Sequence, residues 1–356
     1  MDKTEKWLPC GSGPVRLGFM RNWGLLALLL VGCGAGAKNA NRVDMPNGGV
    51  VDTAVAQESE QVDPDRPEAD RARAHEHLPG DCDVVVRLRL DQLATAPSIR
   101  NKLVPAFVAN VEKDGKAGEL QEFFDALGID PAAHLHGAVA CVRGVDLDDP
   151  EFVVAIGGDI PPGKFVPAVE QHAKDDEFRR TKVGSMVVLE EADGHAFLTQ
   201  CEDGTILGAN RVSLLTASFE RGRAFERYDI PFDEQIVVLS TPRGTRALLE
   251  RFGSELKAIP PSFVDVRRVE LFGSLTTGRV GIELELPSED QAEMTVETVE
   301  MVKGQRQTVV AQSPELGPIF DSLEARADGA RFTATVVVPE DLVDQFVSMS
   351  VSELGD

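Results

Sequence analysis

The chain has very few of the aromatic side chains that most often bind sugars and other flat ligands. Its 356 residues include one tyrosine and two tryptophans. Trp7 and Trp23 both precede Cys33, so Tyr228 is the only tyrosine or tryptophan in the rest of the chain. Because carbohydrate sites and stacking cages usually depend on these two residue types, the composition argues against carbohydrate binding.

Positive charge is also scarce. The chain has 36 Lys and Arg residues against 59 Asp and Glu residues, which gives a formal net charge of −23 at pH 7. A surface this acidic repels nucleic-acid phosphates and anionic lipid headgroups. The sequence therefore predicts no nucleic-acid partner, and it predicts that an attached lipid makes the membrane contact.

A short hydrophobic run at residues 23–31 follows Arg21. The run is too short to cross a hydrocarbon core of roughly 30 Å as a helix, but it has the length of the h-region of a secretory signal. A buried helix is the alternative, and the polar flanks favour the signal. The sequence leaves open whether translation starts at Met1 or Met20.

The run ends in Leu30, Val31, Gly32 and Cys33, which resemble the lipobox of bacterial lipoproteins. The resemblance implies that the first three residues fill the subsites of the signal peptidase. It also implies that the Cys33 thiol is diacylated and becomes the new N-terminus, in the cell envelope. By resemblance to sorted lipoproteins, Gly34 in place of an aspartate implies the outer membrane, facing the periplasm or the cell surface. Several acyl chains on one cysteine anchor durably, since each buried CH₂ contributes about 0.8 kcal/mol.

Composition divides the chain into four segments. Residues 1–32 are the predicted signal peptide. Residues 33–80 have too few apolar side chains to offset the entropy of ordering, so they are predicted to be a disordered tether. Residues 81–225 and 226–356 are each predicted to form an α+β unit.

The folded part is predicted to begin with a strand over residues 83–90. Its β-branched residues favour extended backbone, and Arg87 and Arg89, two positions apart, predict one solvent-facing side. Asp91 is predicted to cap a helix that runs towards residue 111. Further strands are predicted at 137–142, 151–157, 178–183, 185–190, 195–201, 205–208, 235–239, 264–275, 281–286 and 332–338, and helices at 117–127, 212–219 and 245–256 and after Pro162, Pro287 and Pro339.

Tight turns predict antiparallel pairing of these strands. Asp193-Gly194 and Asp203-Gly204 lie where two-residue hairpin turns need positive φ, and residues 326–331 are predicted to be a third hairpin tip. Both halves show the order strand, helix, strand, strand, helix, hairpin, helix. The predicted class is α+β, with two similar units, each an antiparallel sheet with helices packed on one face, and the two sheets can join into one.

This element order, together with Leu127-Gly128-Ile129-Asp130-Pro131 between an early helix and the next strand, resembles an uncharacterised family of bacterial envelope proteins. Members of that family have duplicated sheet-and-helix units. The resemblance implies the fold of residues 81–350. It implies no activity, because the family has none established.

Three cysteines follow Cys33, at Cys82, Cys141 and Cys201. At most one intrachain disulfide can form among three thiols in an oxidising compartment, and the spacing leaves the pairing open. Three buried thiols are the alternative. No Cys-x-x-Cys spacing indicates a metal site.

His134 and His136 lie two apart in a segment predicted to be extended, so they would share one face of it. A metal site there would also need His172 or His195, and nothing in the spacing joins these residues. Capping and surface roles are therefore favoured for all four histidines.

Two other groups have metal-ligating side chains. His75 and His77 are interpreted as solvated linker residues rather than ligands. The acidic loop at 146–151 offers oxygen ligands for calcium, but it lacks the glycine and the distal glutamate of an EF-hand. A solvated turn is the favoured interpretation of that loop.

The sequence has no Gly-x-Ser-x-Gly motif at a strand-to-helix turn and no phosphate loop after the leader. It therefore predicts a non-enzymatic binding, scaffold or interaction module without a cofactor, with an unknown envelope protein or small ligand as its partner. One alternative is a lipid or small-molecule carrier with an apolar cleft between the sheet and the helix after Pro287. The other is a metal-dependent hydrolase that uses the histidines or the acidic loop.

Overall fold

A computed structural model describes residues 74–103, 117–145, 149–173, 177–219, 228, 230, 234–252 and 266–345. The predicted signal, the lipobox residues and the tether as far as residue 73 lie outside the described residues. Within the described part, no helix has the length and hydropathy needed to span a membrane.

One antiparallel sheet of twelve strands organises the described chain. The order across the sheet is β11-β12-β10-β9-β8-β1-β2-β3-β7-β6-β5-β4, so the predicted α+β class is confirmed and both halves share a single sheet. The strands are β1 Val84–Leu88, β2 Leu135–Arg143, β3 Glu151–Gly158, β4 Phe178–Val183, β5 Met186–Glu191, β6 Phe197–Gln200, β7 Ile206–Ala209, β8 Ile236–Ser240, β9 Arg268–Ser274, β10 Arg279–Glu285, β11 Glu324–Asp328 and β12 Arg331–Val337.

Helices follow the strands in both halves, and shorter turns of helix join them. The α-helices are α1 Leu90–Leu93, α2 Ala117–Leu127, α3 Pro131–His134, α4 Phe165–His172, α5 Val212–Phe219, α6 Pro242–Phe252, α7 Glu289–Gly304, α8 Arg306–Gln312 and α9 Gly317–Ser322, with a π-helical turn at Ile99–Leu103, a 3₁₀ turn at Pro314–Leu316 and helical residues at 340–345.

The predicted repeat of element order is visible in the sheet. Strands β1, β2 and β3 are neighbours, with β7 next to β3, and strands β8, β9 and β10 are neighbours, with β12 next to β10. The hairpin of β4 and β5 is an addition to the first half. The halves meet where β1 pairs with β8, from Val84 opposite Ser240 to Leu88 opposite Ile236.

The first half of the sheet is covered on both faces, whereas helices were predicted on one face only. Ala138 of β2 packs in one core with Phe124 of α2. The next residue, Val139, packs in a second core with Leu214 and Leu215 of α5. Because successive side chains on a strand point to opposite faces, we call these the α2 face and the α5 face.

Helix α7 covers the outer part of the second half. Ala292 and Val296 pack against Leu284 of β10 and Phe332 of β12 in a third core. The strand register places Leu284 and Phe332 on the α2 face. Ser288 caps the helix, since its side chain accepts a hydrogen bond from the Gln291 N–H, a role in which serine is strongly preferred.

Strand β1 lacks the solvent-facing side that Arg87 and Arg89 predict. Arg87 is 1% exposed, and its guanidinium donates to the carbonyl oxygen of Glu234. On the α5 face its neighbours across the sheet are Val139 and Val237. The prediction was wrong because β1 lies at the centre of the sheet, and this position depends on pairing with a strand some 150 residues later.

Two further element predictions need correction. Helix α1 begins at Leu90 without a side-chain cap and ends at Leu93, so Asp91 lies inside the helix instead of capping it, and the helix does not run on towards residue 111. This start lets Leu90 and Leu93 both enter the core. The hairpin tip was predicted at 326–331, but residues 324–328 form edge strand β11, and the turn is confined to the region of Gly329, with φ 56°. Alternating small and charged residues suit an exposed edge strand.

Candidate functional site

Three reactive side chains from distant parts of the chain meet on the α5 face. His77 follows the helical residues 74–76, and Cys201 and Asp203 lie in the turn between β6 and β7. The His77 Nε2 atom is 3.1 Å from Asp203 Oδ2, and Nδ1 is 3.8 Å from the Cys201 sulfur. We call this group the His77 cluster.

The predicted Asp-Gly turn is what orients the carboxylate. Asp203 Oδ1 accepts the Thr205 N–H at 3.0 Å, which leaves Oδ2 directed at His77. Gly204 has φ 91°, and a Cβ atom there would lie 2.3 Å from the carbonyl oxygen of Ile160. Only glycine fits both the conformation and the space, so this residue fixes the turn that presents Cys201 and Asp203.

His77 and Asp203 form a buried ion pair. Nδ1 of His77 lies 3.0 Å from the Ser218 carbonyl oxygen, which can only accept, so Nδ1 carries a proton. Burial alone would lower the pKa of His77, but hydrogen bonds and charges from Asp203 and Cys201 raise that pKa to about 10. Burial alone would raise the pKa of Asp203, but His77 and Thr205 hold it well below its usual range.

The interpretation of His75 and His77 as solvated linker residues was wrong. Each is 1% exposed. The nearby Ala74 and Leu78 pack in the same core as Leu214. The folded body therefore begins no later than residue 74, and the tether cannot extend to residue 80. The apolar pair at i and i+4 was the available signal, but it is short and lies among polar residues.

The cysteines resolve into one disulfide and one free thiol. Cys82 and Cys141 are bonded, with their Cα atoms 5.4 Å apart. Cys201 is buried and unbonded. The cysteine count allowed one pair and one thiol. The structure adds which residues pair, because Cys82 lies just before β1, and β1 runs beside β2, the strand that contains Cys141.

The structure does not bring the other histidines together. His134 ends α3, where its Nδ1 accepts the Asp130 N–H at 2.8 Å, so it caps a helix rather than lying in an extended segment. His136 is buried in β2. Among the described residues, the His77 cluster is the only group of three or more potential metal-ligating side chains, and it includes neither His172 nor His195.

The acidic loop is described in part. Residues 146–148 lie outside the described residues. Asp149 pairs with Arg211, and Glu151 pairs with Arg143 at 2.9 Å. Both carboxylates at the ends of the loop therefore have cationic partners.

A second candidate site is an apolar groove on the α2 face, with a volume of about 180 Å³. Leu271 of β9 and Val280 of β10 are 45% and 44% exposed in it, and Val343 borders it from the helical residues 340–345. The lining residues are Ile236, Val238, Leu271, Phe272, Gly273, Ser274, Leu275, Gly278, Val280 and Val343.

An apolar cleft was predicted between the sheet and the helix after Pro287, which is α7, but the described residues do not form one there. In the described chain, α7 packs directly on β10 and β12. The pocket near α7, of about 350 Å³, is lined largely by charged and hydroxyl side chains, among them Glu300, Lys303, Glu324 and Arg326. Of these two pockets in the described part of the chain, the groove on β8 to β10 is the apolar one.

No family model matches the chain, and no curated protein matches it. Three crystal structures of TP0453 are similar to it. Crystal form III has 11% identity and a TM-score of 0.42 over 77% of this chain and 97% of that one. Form I has 12% and 0.41 over 78% and 97%, and form IV has 11% and 0.43 over 77% and 95%. At this identity the likeness concerns the fold alone.

Proposed function

We propose that the protein is a lipid-anchored protein of the bacterial cell envelope whose body is a non-enzymatic module that binds a partner protein through the apolar groove. The observation that carries this proposal is the exposure of Leu271 and Val280 on a face that helices cover elsewhere. Exposed apolar surface of this kind is typical of interaction sites.

The size of the groove favours a protein partner over a carried small molecule. Pockets that enclose a ligand usually measure about 300–1,000 Å³, whereas this groove measures about 180 Å³. It suits one or two apolar side chains of a partner, the type of anchor that contributes most of the binding energy in protein interfaces. The net charge of −23 favours a partner whose contact surface is neutral or basic.

The envelope location rests on the motif at residues 30–33 and agrees with the disulfide between Cys82 and Cys141, since such bonds persist in oxidising compartments. We expect the native protein to start at a lipidated Cys33 and to fractionate with membranes, and a Cys33→Ala variant to lose its anchor. Intact mass and membrane fractionation measure this. A native protein that is unmodified and soluble contradicts the anchor.

Site-specific crosslinking tests the groove. We would place a photo-reactive amino acid at Leu271, and at Val337 as the matched control. Val337 is 48% exposed, but it lies opposite Arg279 on the other face of the sheet. We expect a discrete crosslinked protein from position 271 and none of that mass from position 337.

A Val280→Glu substitution should abolish the crosslink from position 271 without changing the melting temperature appreciably, because the side chain is nearly half exposed. The same adduct from both positions, or one unaffected by Val280→Glu, contradicts binding in the groove. Mass spectrometry of an organic extract distinguishes a carrier of lipid from a protein-binding module. A lipid that co-purifies with the parent protein but not with Val280→Glu would identify an acyl chain as the occupant of the groove.

A further inference from the structure

We infer that His77, Cys201 and Asp203 form a binding site for a divalent transition-metal ion, with zinc as the best match. The three side chains offer the nitrogen, sulfur and oxygen donors that zinc takes in proteins. A site made of thiolate and imidazole is a poor one for magnesium or calcium, because these hard cations prefer all-oxygen ligands.

The donor atoms are close to the spacing that one ion requires. Zinc bond lengths of 2.0–2.3 Å in a tetrahedron place neighbouring donor atoms about 3.3–3.8 Å apart. One ligand atom from each of the three residues lies within 4.8 Å of the other two, and His77 Nε2 and Asp203 Oδ2 are 3.1 Å apart. The Cys201 sulfur is 3.8 Å from Nδ1 of the same ring, so three-fold coordination at Nε2 requires the thiol to move towards that atom.

The hydrogen bonds around the cluster orient its ligands as in known metal centres. The His77 Nδ1–H donates to the Ser218 carbonyl oxygen, which fixes the ring with Nε2 towards Asp203, and a ligating histidine usually donates its second N–H in this way. Thr205 holds the other carboxylate oxygen of Asp203. The ion replaces the proton on Nε2, so coordination takes the place of the ion pair.

Accessibility differs among the three ligands in a way that fits metal entry. His77 and Cys201 are buried, while the Asp203 side chain keeps 10% of its surface exposed. A fourth ligand, such as water, can reach the ion from the Asp203 side. The bound ion would link residue 77, at the N-terminal end of the described body, to the β6–β7 turn.

The test uses the full chain with Cys10 and Cys33 replaced by serine and no reductant, so that Cys201 is the single free thiol while the Cys82–Cys141 disulfide persists. We expect one cobalt ion per chain, with a thiolate-to-cobalt charge-transfer band. Excess zinc should displace the cobalt. Saturating zinc, at about 100 times its dissociation constant, should raise the melting temperature by roughly 5–10 °C.

Matched variants assign the site. Cys201→Ser should remove the charge-transfer band, and Asp203→Asn should weaken zinc binding at least tenfold. Asp193→Asn is the control, because Asp193 occupies the other Asp-Gly turn, is exposed and should leave binding unchanged. The absence of the band in the parent chain, or zinc binding that persists equally in Cys201→Ser and Asp203→Asn, overturns the inference, and the parent-chain spectrum decides even where a variant does not fold.

Discussion

Removing the disulfide between Cys82 and Cys141 tests how much this bond contributes to the stability of the folded body. The bond closes a loop with a sequence separation of 59, and the chain-entropy estimate for a loop of that length is about 4 kcal/mol at 25 °C. In Cys82→Ala/Cys141→Ala the unfolded chain regains this freedom. We therefore expect the free energy of unfolding to fall by about 4 kcal/mol.

Both sulfurs lie in the core on the α5 face, so the two alanines also leave a small cavity, and the loss should not be smaller than the entropic estimate. Urea unfolding followed by circular dichroism measures it. The melting temperature should fall by roughly 8–12 °C. Cys201→Ala is the control, since it removes a buried sulfur without opening a loop.

A loss below about 1 kcal/mol, or one equal to that of Cys201→Ala, would refute the reasoning. Peptide mapping under non-reducing conditions gives an independent check, because the structure allows Cys82–Cys141 alone. A bond from Cys201 to either partner would contradict the pairing in the structure.

Three further substitutions test local features. Gly204→Ala should destabilise the chain by about 2–3 kcal/mol, because the new Cβ meets a backbone carbonyl at positive φ. The control is Gly118→Ala, which has open space at an exposed helix position and should be neutral or stabilising by up to about 1 kcal/mol. Chemical denaturation measures both variants. Burial and the charge of Asp193 raise the pKa of Glu191 to about 7. The folded protein therefore holds the Glu191 proton more tightly than the unfolded chain does, and its free energy of unfolding falls as the pH rises from about 4.5 through 7. Glu191→Gln should therefore raise stability at pH 8 by about 1 kcal/mol, discounted for partial exposure, and change nothing at pH 4; melting curves that differ equally at both pH values would contradict this. Ser288→Ala should lower stability by about 1 kcal/mol through loss of the helix cap, and an effect below about 0.3 kcal/mol would show that the cap is not needed.

Local patterns in the sequence predicted the elements whose causes are local. Helix α2 runs from Ala117 to Leu127, as predicted, and is followed by Gly128 at φ 72°. The Asp-Gly turns have the expected positive φ at Gly194 and Gly204. These features depend on residues a few positions apart, so the sequence contains their full signal.

The features that the sequence did not predict depend on distant parts of the chain. Arg87 is buried because β8, some 150 residues later, pairs with β1. His77 belongs to a site because Cys201 and Asp203, more than 120 residues later, lie against it. A polar residue in a polar segment carries no local mark of such a contact, so it was assigned to solvent.

The apolar groove follows from the way the two halves join. In the first half, α2 and α4 cover the α2 face over β1 to β3 and β5 to β7. In the second half, α7 covers β10 to β12. The pairing of β1 with β8 places β8 and β9 between these two cores, where the described chain supplies Val343 as the covering side chain from a helix. Each half protects its own outer strands, so joining them leaves an apolar strip at the centre. An arrangement of this kind keeps exposed apolar side chains on rigid strands while the neighbouring strands stay covered, and this is the physical basis for our proposal that a partner binds there.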